Sequence, residues 1–133
     1  MTGFSSLPKQ EHWTTARLGT VAEKIVDGSH NPPPKVDNGR PMLSARNIEW
    51  GRIEFSGHRE IADGAFKRER GRTDVQAGDV LLTIVGTIGR AAVVTEAMPE
   101  FTLQRSVALL RLRGVDPRFC MYQLLSESTQ DWL

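Results

Sequence analysis

Val80-Leu81-Leu82-Thr83-Ile84-Val85-Gly86-Thr87-Ile88-Gly89-Arg90-Ala91-Ala92-Val93-Val94-Thr95 is the stretch whose reading decides the fold. Two apolar runs, the first rich in β-branched residues, are separated by a pair of glycines, and an Ala77-Gly78-Asp79 turn precedes them. Runs this short and this rich in Val and Ile read as strands, and joined through glycine they make a buried hairpin. Val107-Ala108-Leu109-Leu110, within Ser106 to Leu112, supplies another strand.

Outward from this hairpin the signals alternate. Downstream, Asp116-Pro117 opens a helix in the expected order, an N-cap followed by proline at the first helical position. Phe119, Tyr122 and Leu125, with Met121, Leu124 and Trp132 nearby, give that helix a broad apolar face. Upstream, Trp13 to Lys24 reads as an entry strand and short helix, with Thr20 as N-cap and Glu23 completing a capping box before Ile25-Val26. Asp27 to Gly39 is loop: it holds Gly28, Ser29, Asn31, three consecutive prolines at 32 to 34, and the Asp37-Asn38-Gly39 turn signal. Consecutive prolines make an extended arm that presents side chains at low entropic cost. Pro41 to Asn47 and Ile53 to Phe55 read as short strands around Trp50-Gly51, and Asp63 to Lys67 as a brief helical turn. The expected class is α/β of the α+β kind: a mixed, largely antiparallel twisted sheet with short helices, long loops and a C-terminal helix.

Composition bounds the function. The 133 residues are 39% hydrophobic and 25% charged, which fits one globular domain and is too short for two. At this size roughly two thirds of the unfolded chain's surface can be buried, so a core needs neither disulfides nor a structural metal. The lone Cys120 excludes an internal disulfide framework and suits a reducing, cytoplasmic setting, and His12, His30 and His58 are too far apart for zinc spacing. No run approaches the ~18 apolar residues of a membrane span, so no membrane partner is expected, and the N-terminus lacks a signal pattern. Seventeen Lys and Arg face sixteen Asp and Glu, a net charge of +1, which argues against bulk electrostatic binding of nucleic acid but leaves a local patch open. That patch is visible. Residues 35 to 72 carry nine basic and six acidic groups, with Lys67, Arg68, Arg70 and Arg72 clustered, although an exposed helix end with solvated charges explains the same run.

Catalytic motifs fail in turn. Asn31-Pro32-Pro33-Pro34 mimics the Asn-Pro-Pro-aromatic motif of adenine amino-methyltransferases, but Pro34 cannot stack on a flipped base, and no glycine-rich cofactor loop follows a strand upstream of it. Gly86-Thr87-Ile88-Gly89 has the Gly-x-x-Gly form of KH domains, yet it lies between strands and not between helices. What survives is a glycine-flanked turn exposing Thr87 and Arg90; a plain hairpin turn is the alternative. Cys120 sits between Phe119 and Met121, where a buried, inert thiol is the default. Ser29 and His30 are neighbours, but no carboxylate at a recognisable spacing completes a triad. Neither catalytic residues nor a metal or other cofactor are expected.

Five blocks in order carry a resemblance. These are Trp13 with Arg17-Leu18-Gly19-Thr20-Val21-Ala22, Asp27-Gly28-Ser29-His30-Asn31-Pro32-Pro33, Leu43-Ser44-Ala45-Arg46-Asn47-Ile48, Gly78 to Gly89, and Gln104-Arg105-Ser106-Val107-Ala108-Leu109. Together they resemble the target recognition domain of type I restriction-modification specificity subunits, over about residues 13 to 133. The resemblance implies a non-catalytic reader of double-stranded DNA, in which each of two recognition domains, separated by long helices, reads one half of a bipartite site. It implies a DNA methyltransferase (M) subunit that docks on those helices and methylates adenine, and a restriction (R) subunit that adds ATP-driven translocation and cleavage. On this reading residues 1 to 12 are a tail, 13 to 115 the recognition domain, and 116 to 133 the start of the spacer helix. One recognition domain alone makes the chain a half-length subunit, a fragment or an isolated domain, and bipartite reading then needs a second copy or a second recognition domain.

DNA reading needs cations that fix the protein on phosphates and polar side chains that reach base edges. The phosphate candidates are Lys35, Arg59, Lys67, Arg68, Arg70 and Arg72. The base-edge candidates are Ser29, His30 and Asn31 on the proline arm, Arg46 and Asn47, Thr87 and Arg90 at the glycine turn, and Gln104 with Arg105. Each has a structural alternative: Asn47 can cap the turn before Trp50, Arg105 can pair with Asp79 or Glu100, and Gln104 can satisfy strand backbone. Trp13 and Trp50 suit stacking on bases less well than packing. A protein-docking module using the proline arm and the terminal helix is the alternative function.

Overall fold

The computed structural model describes residues 17–132, so Trp13, the expected tail and Leu133 lie outside the described residues. In chain order the elements are α1 (Leu18–Val21), β1 (Ala22–Asp27), β2 (Arg40–Leu43), β3 (Arg59–Ile61), α2 (Asp63–Thr73), β4 (Val80–Thr83), β5 (Ala91–Val93), β6 (Thr102–Leu103), β7 (Val107–Leu112), α3 (Pro117–Leu125) and α4 (Glu127–Trp132). They form two sheets. The larger has the order β1-β7-β4-β5 with every neighbour antiparallel, and the smaller the order β3-β2-β6, with β2 and β6 parallel. The class is α+β, as expected from the sequence.

The glycine-joined runs do form a hairpin, with Val80 opposite Val93 and Leu82 opposite Ala91. Its first strand stops at Thr83, short of the apolar Ile84 and Val85, which are exposed. Thr83 closes the loop: its carbonyl accepts from the Gly89 amide (3.0 Å) and its hydroxyl from the Arg90 amide (2.9 Å), with Gly86 and Gly89 both at positive φ. β7 lies between β1 and β4, and Val107 through Leu110 are all buried, a continuous apolar run because both faces of the strand are covered. On one face Val107, Leu109 and Leu81 pack with Leu43, Ile48, Phe101 and Leu103; on the other, Leu110 and Val80 pack with Cys120 and Met121 of α3.

Four local expectations need correction. Ala22 to Val26 is strand, not helix: only Leu18–Val21 makes a helical turn, and Thr20 lies inside it. Pairing of Ile25, Val26 and Asp27 with Leu110, Leu109 and Ala108 overrides the capping-box pattern. The strand expected to run to Asn47 ends at Leu43 and turns into a short 3-10 helix, Ala45–Asn47, while Ile53 contributes only an isolated bridge to Ile48. The brief turn at Asp63 to Lys67 is instead an eleven-residue helix, α2, ending where Asp74 takes a left-handed conformation. Its buried Ala65 and Phe66 close over Met42 and Ile61.

The Asp116 cap is present, accepting from the Arg118 amide at 2.8 Å. The helix it opens is interrupted at Ser126, and its buried face carries Cys120 and Met121, leaving Phe119 and Tyr122 exposed. The proline arm is laid against the smaller sheet: Pro33 is buried, its carbonyl accepts from Arg59 (3.0 Å), and the Val36 amide donates to Glu60 O (2.9 Å).

Candidate nucleic-acid interface

Four segments separated in sequence are tied together at one end of the two sheets. β1 and β4 both run antiparallel to β7, so their C-terminal ends meet the start of β7. The junction is made by backbone. Gly28 N donates to Val107 O, Ser29 N to Leu103 O, Arg105 N to Ser29 O and Gln104 N to Leu43 O, all between 2.8 and 3.1 Å. Ser106 completes it, its hydroxyl accepting from Ala45 N (2.9 Å) and its carbonyl from Ile84 N (2.9 Å). The loop after β1, the turn after β2, the glycine loop after β4 and the β6–β7 connection therefore form one surface. Four of the five blocks that carry the sequence resemblance supply it.

Gly28 makes this possible by having no side chain. A Cβ there would sit 2.1 Å from Gln104 O and 2.3 Å from Leu103 O, well inside contact distance.

The base-edge candidates divide clearly. His30, Asn31, Arg46, Thr87 and Arg105 are exposed on this surface. Gln104 is half-buried, and its backbone bridges to Ser29. Arg90 is held by Glu49 at 3.3 Å. Two candidates point inward. Ser29 is buried and joins the junction through its backbone. Asn47 is also buried: its Oδ1 accepts from Ser44 N (3.1 Å) and its Nδ2 donates to Glu54 O and Ser56 O (both 2.9 Å). Asn47 thus closes its own loop, the structural alternative taken from the sequence.

The phosphate candidates divide in the same way. Lys35 and Arg68 are exposed with no ion pair among the described residues. Lys67 pairs with Asp63 at 3.1 Å across one helical turn, and Arg72 reaches Glu69 only at 3.9 Å. Arg59 and Arg70 are structural. Arg59 holds Pro33, and Arg70 donates to Val75 O and Phe101 O and pairs with Glu100. Arg70 occupies the place offered to Arg105 beside Glu100, and Arg111 does so beside Asp79.

One pairing escaped the sequence reading. His30 Nε2 and Asp27 Oδ2 lie 2.7 Å apart at the edge of the surface. The hydrogen bond from His30 holds the Asp27 carboxyl below its ordinary pKa of 3.8, with Arg72 adding a smaller electrostatic pull. Its signal was the i, i+3 spacing at the end of a strand, which only the bend at Gly28 and Ser29 turns into contact. The three exposed apolar residues of the glycine loop, Ile84, Val85 and Ile88, were also missed, because β-branched residues read as strand interior. Cys120 is the buried thiol expected, and burial pushes its pKa up, away from nucleophilic use. Among the described residues no group of three or more His, Cys, Asp or Glu could hold a metal ion, and no helix is long and apolar enough to cross a membrane.

No family model matches the chain. It is 27% identical to the type I restriction enzyme EcoBI specificity subunit of Escherichia coli over 131 residues, covering 92% of this chain and 27% of that protein. Its fold matches the crystal structure of the HsdS subunit from Thermoanaerobacter tengcongensis with a TM-score of 0.56 at 20% identity, over 92% of this chain and 29% of that one. The chain therefore spans less than a third of the length of either protein. The sequence likeness favours the specificity-subunit reading over a docking module, and the structural likeness supports the fold. In sequence and in fold alike, this chain is similar to the specificity subunits of type I restriction-modification systems, over a stretch that corresponds to one of their target recognition domains.

Proposed function

We propose that this chain is a non-catalytic, sequence-specific reader of double-stranded DNA that recognises one half of a bipartite site in the cytoplasm. It directs a partner adenine methyltransferase subunit and a restriction subunit to that site, and the other half is read by a second copy or a second recognition domain. The observation that carries this reading is the single surface built from four distant segments, with His30, Asn31, Arg46, Thr87 and Arg105 exposed on it. Exposed polar side chains on a backbone-locked base are what direct readout requires, because each good bidentate pair discriminates by roughly 1–3 kcal/mol only if it is held in place. Arg68, Arg72 and Lys35 supply the backbone contacts that position without specifying. A net charge of +1 suits a domain whose affinity for DNA is completed by partner subunits.

The test is a map of methylated adenines in host DNA with and without the gene. Loss of one bipartite methylated motif on deletion, restored by the wild-type chain, is the expected result. An unchanged methylation map overturns the proposal.

A further inference from the structure

His30 is exposed, with a side-chain accessibility of 62%, and within the described residues its only polar contact is the 2.7 Å bond from Nε2 to Asp27. The direction of that bond is fixed by chemistry. An ionised carboxylate only accepts, so the shared proton sits on Nε2, and the Nδ1 of a neutral ring is left as an acceptor with no partner among the described residues. Asp27 is itself held in place: it is the last residue of β1, opposite Ala108 of β7, and the next two residues, Gly28 and Ser29, are locked to Val107 and Leu103. The ring is therefore tethered by a short bond to a residue of the sheet, at the edge of the surface that also carries Asn31 and Arg105.

We infer that His30 reads an exocyclic amino group of the DNA target through Nδ1, on adenine or cytosine, and that Asp27 is the positioning residue that holds the ring in the tautomer this requires. The inference rests on the DNA reading above and names the chemistry of one of its contacts. In the major groove only adenine N6 and cytosine N4 offer donors, so an acceptor at Nδ1 selects an amino base and rejects guanine or thymine at that position. Asp27 makes no contact with DNA in this scheme. Its carboxylate stays ionised because His30 donates to it and Arg72 of α2 lies close enough to act on it.

Two measurements on the full chain test this. Without DNA, at about pH 8 where an imidazole is neutral, the ring nitrogen shifts of ¹⁵N-labelled His30 should show the Nε2–H tautomer. Asp27→Asn, whose amide can donate as well as accept, should show a mixture of tautomers. Selection from a random duplex pool by the chain assembled with its methyltransferase subunit should then return, for Asp27→Asn and for His30→Ala, the wild-type motif with the preference for an amino base weakened about fivefold at one shared position, the scale of one hydrogen bond. A dominant Nδ1–H tautomer in the wild type, or an unchanged motif from either variant, overturns the inference while leaving DNA reading intact. If the wild-type chain assembled with its methyltransferase subunit selects no motif, DNA reading itself fails and the base contact with it, and the tautomer still reports separately whether Asp27 positions the ring.

Discussion

Ser29 and Gln104 form a parallel backbone bridge that extends the smaller sheet beyond β6 and joins it to the end of β1 in the larger one. The loops that form the candidate surface are tied together at this junction. Gly28→Ala would drive a methyl group into the carbonyls of Leu103 and Gln104. The expected outcome is destabilisation by about 2–3 kcal/mol in urea unfolding, with loss of amide protection at Ser29 and Arg105. A Gly28→Ala chain as stable as wild type would mean the junction is looser than described.

Arg46 and Asn47 are adjacent and have opposite duties. Asn47→Ala removes a buried side chain that bonds backbone groups at Ser44, Glu54 and Ser56, so stability should fall by about 2–4 kcal/mol. Arg46→Ala removes an exposed side chain that makes no hydrogen bond among the described residues, and stability should change by no more than about 0.5 kcal/mol. In a pool selection the Arg46 variant should relax the motif at one position. Equal stability losses for the two would show that Arg46 is structural as well.

Arg111 grips Asp79 through two bonds, Nε to Oδ1 at 2.9 Å and a terminal nitrogen to Oδ2 at 3.0 Å, and also donates to Asp74 O. The Asp79 side chain is 1% exposed, and its Oδ2 accepts in addition from the Gln76 amide. These bonds raise the Arg111 pKa further above its ordinary value. Removing one partner strands the other, so Asp79→Ala should cost about 3–5 kcal/mol, measured as a lower urea midpoint at unchanged slope. Stability within about 1 kcal/mol of wild type would reduce the pair to a surface salt bridge.

Because the folded-state pKa of Asp27 lies below its ordinary 3.8, its bond to His30 contributes stability that is present above that value and is lost as pH falls through the folded pKa. Carbon-detected titration should place the Asp27 midpoint below 3.8. His30→Ala should move that midpoint back up. A midpoint indifferent to His30 would assign the shift to Arg72.

The basic run on α2 should act unevenly on DNA. Arg68 has no ion pair among the described residues, whereas Lys67 is partly neutralised by Asp63. Arg68→Ala should weaken binding to all sequences and reduce the slope of log affinity against log salt by about 1, with a smaller change for Lys67→Ala. An unchanged slope for Arg68→Ala removes α2 from the footprint.

What the sequence by itself determined is local. The glycine-joined hairpin, the apolar run of β7, the Asp116-Pro117 helix start and the loop character of Asp27 to Gly39 all follow from turn residues, β-branching and capping within a few positions. The order of the five resemblance blocks pointed to the family without any knowledge of their contacts. Tertiary structure decided the rest, because the partners that choose between outcomes lie far off in the chain. Ala22 to Val26 follows helix-start signals and became strand on pairing with β7. Nothing near Arg70 in sequence distinguishes it from Arg68, yet Phe101 and Glu100, 31 and 30 residues on, draw it inward; Asn47 is the local exception, held by Ser44, Glu54 and Ser56 of its own loop. A polar side chain's duty is set by whether backbone groups nearby need it, and for Arg70 and Arg111 those groups are brought up only by the tertiary fold.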